Sequence, residues 1–581
     1  MAYLSIKSAL ADAGLATPSQ FGDWRDRWMT ALDNGSEDRF IDFARRERGL
    51  SEEAFLEKLS EVTEFPYLDL EENEGSNEAR VRVSTKVAFQ FKVIPVDFEE
   101  QTLRVAVSDP FDAAMQSAVE YSANGPVQFV LATSKDIDEA LKKFYGVGAE
   151  TLDEMAEEED DDLDALQASD KEISEGDQDA SVIKFVNQII WEAFKDRATD
   201  IHFEPGENDL RIRYRVDGIL HQAPMPPQLK RFQSALISRV KVMSGMDIAE
   251  KRLPQDGRIN VRIQGEEIDI RVSTVPTVYG ESVSLRLLTR GAVLLELEKL
   301  GFSAEEEEVI RDIIVKPHGI FLVTGPTGSG KSTSLYAFLN AINSITKRII
   351  TIEEPVEYEL PGVNQIAVRS DIGLTFARGL RHILRQDPNV VMVGEIRDLE
   401  TAEIAIRAAL TGHLVFSTLH TNDAGSAFTR LIDMGIEPFL VASSVEAVMA
   451  QRLVRTICPA CRTEQSVNRE YLLRVGFPSD KIGVVKPQYG PGCETCRQLG
   501  YRGRTGIHEL LTLTERIRSL VLSRSASTEI AQVAVENGMT TLRNDGWKKV
   551  GRGETTIEEV LRVTQTEEHS ALLGESEKDK V

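Results

Sequence analysis

The sequence predicts a multidomain α/β protein, on three observations. Its second half alternates unbroken apolar runs with helical stretches, the pattern of a parallel sheet covered on both faces. One of those runs, Gly319-Ile320-Phe321-Leu322-Val323-Thr324, leads into a glycine-rich loop and then a helix. An acidic block, Glu157-Glu158-Glu159-Asp160-Asp161-Asp162, divides the chain into parts of different texture. At roughly 100–200 residues per domain, 581 residues accommodate three or four domains.

Residues 1–60 read as a helical, polar segment; Glu52 to Leu59 has helical spacing. Residues 61–146 read as a small α/β module. Lys92–Asp97 and Leu103–Val107 are expected strands, Asp112–Tyr121 a helix and Val127–Leu131 a further strand. No catalytic constellation falls there, so the expected use is docking. Residues 147–178 are an expected flexible linker, because such a charge block buries too little apolar surface to offset ordering entropy. Residues 179–296 open with an amphipathic helix, Val182–Phe194. The stretches Asp209–Val216, Arg258–Arg262 and Glu267–Val272 then alternate apolar and charged residues, predicting a sheet with one wet, arginine-bearing face. Residues 297–565 carry the continuous apolar runs Ile349–Ile352, Val390–Val393 and Leu414–Thr418, and residues 566–581 read as a disordered tail.

Composition limits the function classes. A net charge of −27 argues against a general nucleic-acid binder. No apolar run reaches the ~18–20 residues of a membrane span, and no signal peptide is read at the N-terminus, so a cytoplasmic protein is expected. The four cysteines all fall between Cys458 and Cys496, which in a reducing compartment suggests metal rather than disulfides.

Gly325-Pro326-Thr327-Gly328-Ser329-Gly330-Lys331-Ser332, followed by Thr333, is the phosphate-binding loop pattern. Its glycines let backbone N–H groups turn inward around phosphate oxygens, and the helix N-terminus adds positive partial charge. Lys331 is expected to reach the β- and γ-phosphates and Ser332 to ligate Mg²⁺. Phosphoryl transfer to water also needs a metal support, a group that orients water and positive charge on the transition state. The apolar run Asn389–Val393 ends in Gly394-Glu395, placing an acid where it supports Mg²⁺. Glu353, Glu354 and Glu357 follow another strand; Glu357 is the expected catalytic base and Glu353 a supporting acid. His413 and His420 flank a buried strand, where a γ-phosphate could be sensed. Cys458-x-x-Cys461 and Cys493-x-x-Cys496, with 31 residues between the pairs, suit a structural tetrahedral Zn²⁺.

Together these stretches, with Ala198-Thr199-Asp200-Ile201-His202-Phe203-Glu204-Pro205, Arg215-Val216-Asp217-Gly218, Arg252–Arg258 and Gly394-Glu395-Ile396-Arg397-Asp398, resemble the secretion ATPase superfamily. The likeness is greatest to the extension ATPases of type II secretion and type IV pilus assembly and covers roughly residues 180–565. The resemblance implies a RecA-like motor domain preceded by a PAS-like module and an N-terminal docking module. It implies ATP as substrate, a homohexamer, and arginines from the module before the motor completing the site; by position these are Arg271 and Arg286. It also implies work through an inner-membrane platform protein, a cytoplasmic or membrane-linked partner on the N-terminal module, and a position peripheral to the inner membrane. Two departures stand out. Glu354 replaces the family's usual aspartate, and residues 1–60 lack the repeated Arg-Leu-Gly-x-x-Leu pattern of relatives that bind cyclic di-GMP, so that ligand is not expected. Retraction motors lack the N-terminal module and the tetracysteine lobe, which disfavours retraction. A DNA-uptake or conjugation motor is the alternative enzyme class, with no direct nucleic-acid contact expected in the favoured reading.

Overall fold

A computed structural model describes residues 6–33, 38–70, 76–80, 82–99, 101–123, 125–146, 172–173, 181–289 and 296–564. The expected acidic linker, apart from residues 172–173, and the expected tail lie outside the described residues. The chain forms two compact units, Met1–Thr289 and Arg290–Val581. No helix among the described residues is long and apolar enough to cross a membrane.

In the first unit, helices Ile6–Asp12, Pro18–Asp33, Phe40–Arg48 and Glu52–Ser60 precede a three-stranded sheet. Its strands β1 (Ile94–Glu99), β2 (Thr102–Val107) and β3 (Val127–Leu131) lie in that order, β1–β2 antiparallel and β2–β3 parallel. Ser51 caps the fourth helix by accepting from the Ala54 amide. The boundary expected near residue 60 is not a break in packing: one apolar core runs from Ala9 to Tyr145. The reason is that the short helices bury single stripes, such as Phe55, Leu56 and Leu59, that need a partner surface. Polar ties run the same way, from Arg39 to Ser108 (2.8 Å) and from the Ser134 amide to Glu52 (2.8 Å).

The second sheet contains β4 (Glu172–Ile173), β5 (Ala198–Pro205), β6 (Leu210–Val216), β7 (Ile219–Gln222), β8 (Gln255–Ile263), β9 (Glu266–Thr277) and β10 (Gly280–Thr289). They are ordered β4-β8-β9-β10-β5-β6-β7. Helices Ser181–Lys195 and Gln233–Met243 cover one face, with Phe185, Ile189, Leu236 and Val240 in the core. On the other face the register aligns Arg258, Arg271, Arg286, Asp200 and Arg215 in one row across β8, β9, β10, β5 and β6.

The second unit is built on β11 (Gly319–Thr324), β12 (Ile349–Glu353), β13 (Asn364–Ala367), β14 (Val390–Val393), β15 (Leu414–Leu419), β16 (Val445–Ile457) and β19 (Tyr501–Thr512), ordered β13-β12-β14-β15-β11-β16-β19. All neighbours are parallel except β16–β19, an antiparallel pair. All six residues of β11 are buried. Ile320 and Leu322 face one apolar layer, Phe321 and Val323 the other, which is why these strands read as unbroken apolar runs. Between β16 and β19 lies a lobe containing the small ladder β17 (Thr463–Glu464) with β18 (Gln488–Tyr489).

Candidate nucleotide site and cysteine tetrad

The C-terminal ends of parallel strands converge on one edge of the sheet, where open α/β folds bind ligands. The loop Gly325–Gly330 leaves β11 there and enters the helix Lys331–Ile342. Gly328 (φ 78°) and Gly330 (φ 87°) take left-handed conformations that a side chain would strain. At Gly325 a Cβ would lie 2.6 Å from the Gln451 carbonyl. Lys331 Nζ donates to the carbonyls of Gly325 (2.8 Å) and Pro326 (3.0 Å), so the ammonium is folded into the cradle. Ser332 is exposed on the first helical turn.

Gln451 secures the loop from behind. From β16 its amide donates to the Ser329 carbonyl (2.9 Å) and accepts from Ser334 Oγ (2.7 Å). Arg452 beside it donates to the carbonyls of Gln451 (3.0 Å) and Asn422 (2.9 Å). Thr324 and Thr421 share a hydroxyl contact (2.8 Å) that fastens β11 to the segment after β15.

Four acids gather at the same edge. Glu395 follows β14; one carboxylate oxygen accepts from Arg397 and the other lies 3.2 Å from His420 Nε2. Burial raises this carboxyl, but hydrogen bonds and charge from Arg397, then His420, outweigh it and hold it below the ordinary range. Arg397 also reaches Glu354 (3.1 Å). Glu353, buried at the end of β12, accepts from Tyr336, Thr351 (2.5 Å) and Gln365 (3.1 Å). Burial nonetheless raises it above the usual carboxylate range. The Glu357 amide donates to the Tyr336 hydroxyl (3.1 Å). Burial, then the charge of Glu353, drive that hydroxyl far above its ordinary value, so it stays a donor.

The four cysteine sulfurs lie within 4.8 Å of one another and form no disulfide. Neighbouring Sγ atoms are 3.7, 3.8 and 3.9 Å apart. A tetrahedron of thiolates at a Zn–S distance of ~2.3 Å has edges of about 3.8 Å, so the donor set fits zinc. The amides of Cys493 and Gly500 donate to Cys496 Sγ, each at 3.2 Å.

Residues 175–562 match the family model described as type II/IV secretion system protein. The chain belongs to that family. Residues 63–151 of this secretion ATPase match a second model, the MshEN domain. It is 41% identical over 517 residues to a type IV pilus assembly ATPase PilB of Myxococcus xanthus, covering 88% of this chain and 91% of the relative. It is 49% identical over 438 residues to a type II secretion system protein E of Aeromonas hydrophila, covering 74% and 86%. A type II secretion system ATPase E of Vibrio cholerae is 49% identical over 433 residues, covering 74% and 84%. The secretion ATPase family hydrolyses ATP, and this chain carries the phosphate loop of a P-loop ATPase.

Within the secretion ATPase, the phosphate loop, Glu353, Glu357, Glu395 and His420 come together at one sheet edge. His413 does not. It precedes β15, so it lies at the opposite edge, a strand length or roughly 20 Å from His420, with Nδ1 2.9 Å from the Ala408 carbonyl. Arg271 and Arg286 are cross-strand neighbours in the first unit, where Arg286 donates to Asp200 (3.0 Å). Tyr336, Gln451 and Arg452 were not singled out from sequence. Gln451 carried a signal, since it is the polar residue that follows the apolar stretch Ala447-Val448-Met449-Ala450.

Lys331 gives the site a pH dependence. Burial pushes its ammonium down, Glu395 draws it back and Arg452 adds to the fall, leaving it at about 8. A triphosphate favours the charged form and so raises that value. The resulting contribution to nucleotide affinity is complete below about pH 8 and is lost as pH rises through the range between the free and bound values. Across that range we expect Kd to rise by up to about tenfold per pH unit, with proton uptake on binding. Calorimetric titration at pH 7, 8 and 9 in two buffers of different ionisation enthalpy measures both. A Kd unchanged across that range contradicts the expectation.

Proposed function

We propose that this chain is the hexameric motor whose ATP hydrolysis powers assembly of a type IV pilus or a type II secretion pseudopilus. The observation that carries the reading is the joining of the glycine cradle and Lys331 to Glu353, Glu357 and Glu395 on one sheet edge. The names of the relatives at 41–49% identity support the choice of system.

In the proposed mechanism the loop amides and Lys331 bind the β- and γ-phosphates. Ser332 and Glu395 would hold Mg²⁺, whose chemistry there would be charge neutralisation on the phosphoryl oxygens. Glu357 polarises the attacking water, with Glu353 fixing the loop that presents it. His420, against Glu395, senses loss of the γ-phosphate. Arg271 and Arg286 close on the transition state, a contribution on the order of 10³–10⁵ in rate. Domain movement around the ring is passed to an inner-membrane platform protein, and the N-terminal module docks a membrane-linked partner. Cys458, Cys461, Cys493 and Cys496 would hold a structural Zn²⁺, which would tie the lobe together.

The test is phosphate release by the assembled protein with Mg-ATP, alongside fibre assembly in cells carrying Arg271→Ala or Arg286→Ala. We expect both variants to bind nucleotide, hydrolyse at least about 10³-fold more slowly and build no fibre. An assembled wild-type ring that releases no phosphate contradicts the reading. So does normal hydrolysis in both arginine variants, for the role given to those arginines.

A further inference from the structure

The helix that begins at Lys331 carries Tyr336 five residues on, a little under one and a half turns along. The phenol is almost wholly buried, at 3% exposure, and its ring meets Tyr358 edge-on at 6.1 Å. Its hydroxyl is used in both directions, donating to the Glu353 carboxylate and accepting from the Glu357 amide at 3.1 Å. It therefore bridges the two ends of the turn Glu353-Glu354-Pro355-Val356-Glu357. The first turn of the same helix is tied to the phosphate loop, since Ser334 there and the Ser329 carbonyl both bond Gln451. The phosphate loop and the Glu357 backbone are thus connected through one short stretch of helix.

We propose that Tyr336 is a positioning residue for hydrolysis, whose hydroxyl makes the placement of Glu357 depend on the position of the phosphate-loop helix. The proposal rests on the reading of Glu357 as the group that polarises water. Tyr336 touches neither the water nor the phosphates in this role; it sets where the carboxylate stands. Its packing against Tyr358 survives loss of the hydroxyl, so Tyr336→Phe removes the bridge while keeping the ring's volume. The Glu357 amide and Glu353 then each lose one partner.

The experiment compares full-length wild type, Tyr336→Phe, Glu357→Gln and the double variant. Steady-state phosphate release at saturating Mg-ATP gives kcat, and a fluorescent ATP analogue gives Kd. We expect Tyr336→Phe to lower kcat roughly tenfold and to leave Kd within about twofold. In the Glu357→Gln background the same change should cost nothing more, because the carboxylate it positions is already gone. Wild-type kcat in Tyr336→Phe overturns the proposal, as does a loss that multiplies in full with that of Glu357→Gln. A variant that loses nucleotide binding in step with kcat shows a structural tyrosine and overturns it too. Undiminished hydrolysis in Glu357→Gln identifies a different failure, that of the role given to Glu357.

Discussion

Lys331→Ala is expected to slow ATP hydrolysis by on the order of 10²–10³-fold or more, with little change in thermal stability. The ammonium is held by the carbonyls of Gly325 and Pro326 at 2.8 and 3.0 Å, within the loop proposed to receive the phosphates. A triphosphate therefore finds its positive charge preorganised and partly stripped of water, where electrostatic stabilisation has most effect. Removing it leaves two carbonyls without a side-chain donor, but Pro326 is exposed and water can replace the lysine. The fold around the loop rests on other bonds, those of Gln451 to Ser329 and Ser334 and of Thr324 to Thr421. Phosphate release and a melting curve on the same sample test the pair of statements. A Lys331→Ala protein that hydrolyses within tenfold of wild type, or that melts far earlier, contradicts them.

The second large effect concerns the cysteines. Cys493→Ser, or removal of metal by a strong chelator, is expected to unfold the lobe between β16 and β19 while leaving the parallel sheet intact. Between Cys458 and Gly500 the described structure offers a six-residue helix, Arg469–Arg474, two three-residue 3-10 turns and two strands of two residues each. Leu472, Val475 and Phe477 pack on Trp547, Val550, Ile557, Val560 and Leu561, a core too small to order that much chain alone. Zinc binding, on the order of 10 kcal/mol, would then be the main folding energy of the lobe. Metal analysis should give one zinc per chain. Calorimetry of the metal-free protein should show an added early transition, and limited proteolysis should cut between residues 462 and 492. A metal-free protein with an unchanged melting profile and protease resistance contradicts this.

Much of the site was legible because its chemistry is local in sequence. A phosphate cradle needs contiguous amides, so the stretch Gly325–Ser332 announces itself, and β11 and the helix Lys331–Ile342 fall where the apolar run and the helical stretch place them. The paired Cys-x-x-Cys motifs are legible for the same reason. What was hidden depends on strand order. Gln451 and Arg452 reach the loop because β16 is the neighbour of β11, although more than a hundred residues separate them in the chain. Tyr336 was hidden among the apolar residues of its helix, where an aromatic reads as core. His413 and His420 looked like a pair because they bracket one strand, but a strand is a ruler: its two ends lie on opposite edges of a sheet. In the first unit, the docking of four helices onto the sheet core followed from no periodicity, because an apolar stripe does not itself show which surface covers it.

The ladder between β16 and β19 closes at Ile457 opposite Tyr501, immediately beside Cys458 and Gly500. The chain thus leaves and rejoins the sheet at adjacent positions, and everything between is topologically a graft on a hairpin tip. Such a graft can be gained or lost in descent without reordering a strand: a tight turn joining those two positions would complete the ladder. The burden of deletion would fall on Trp547 and its apolar neighbours, which would need new polar faces once their cover was gone.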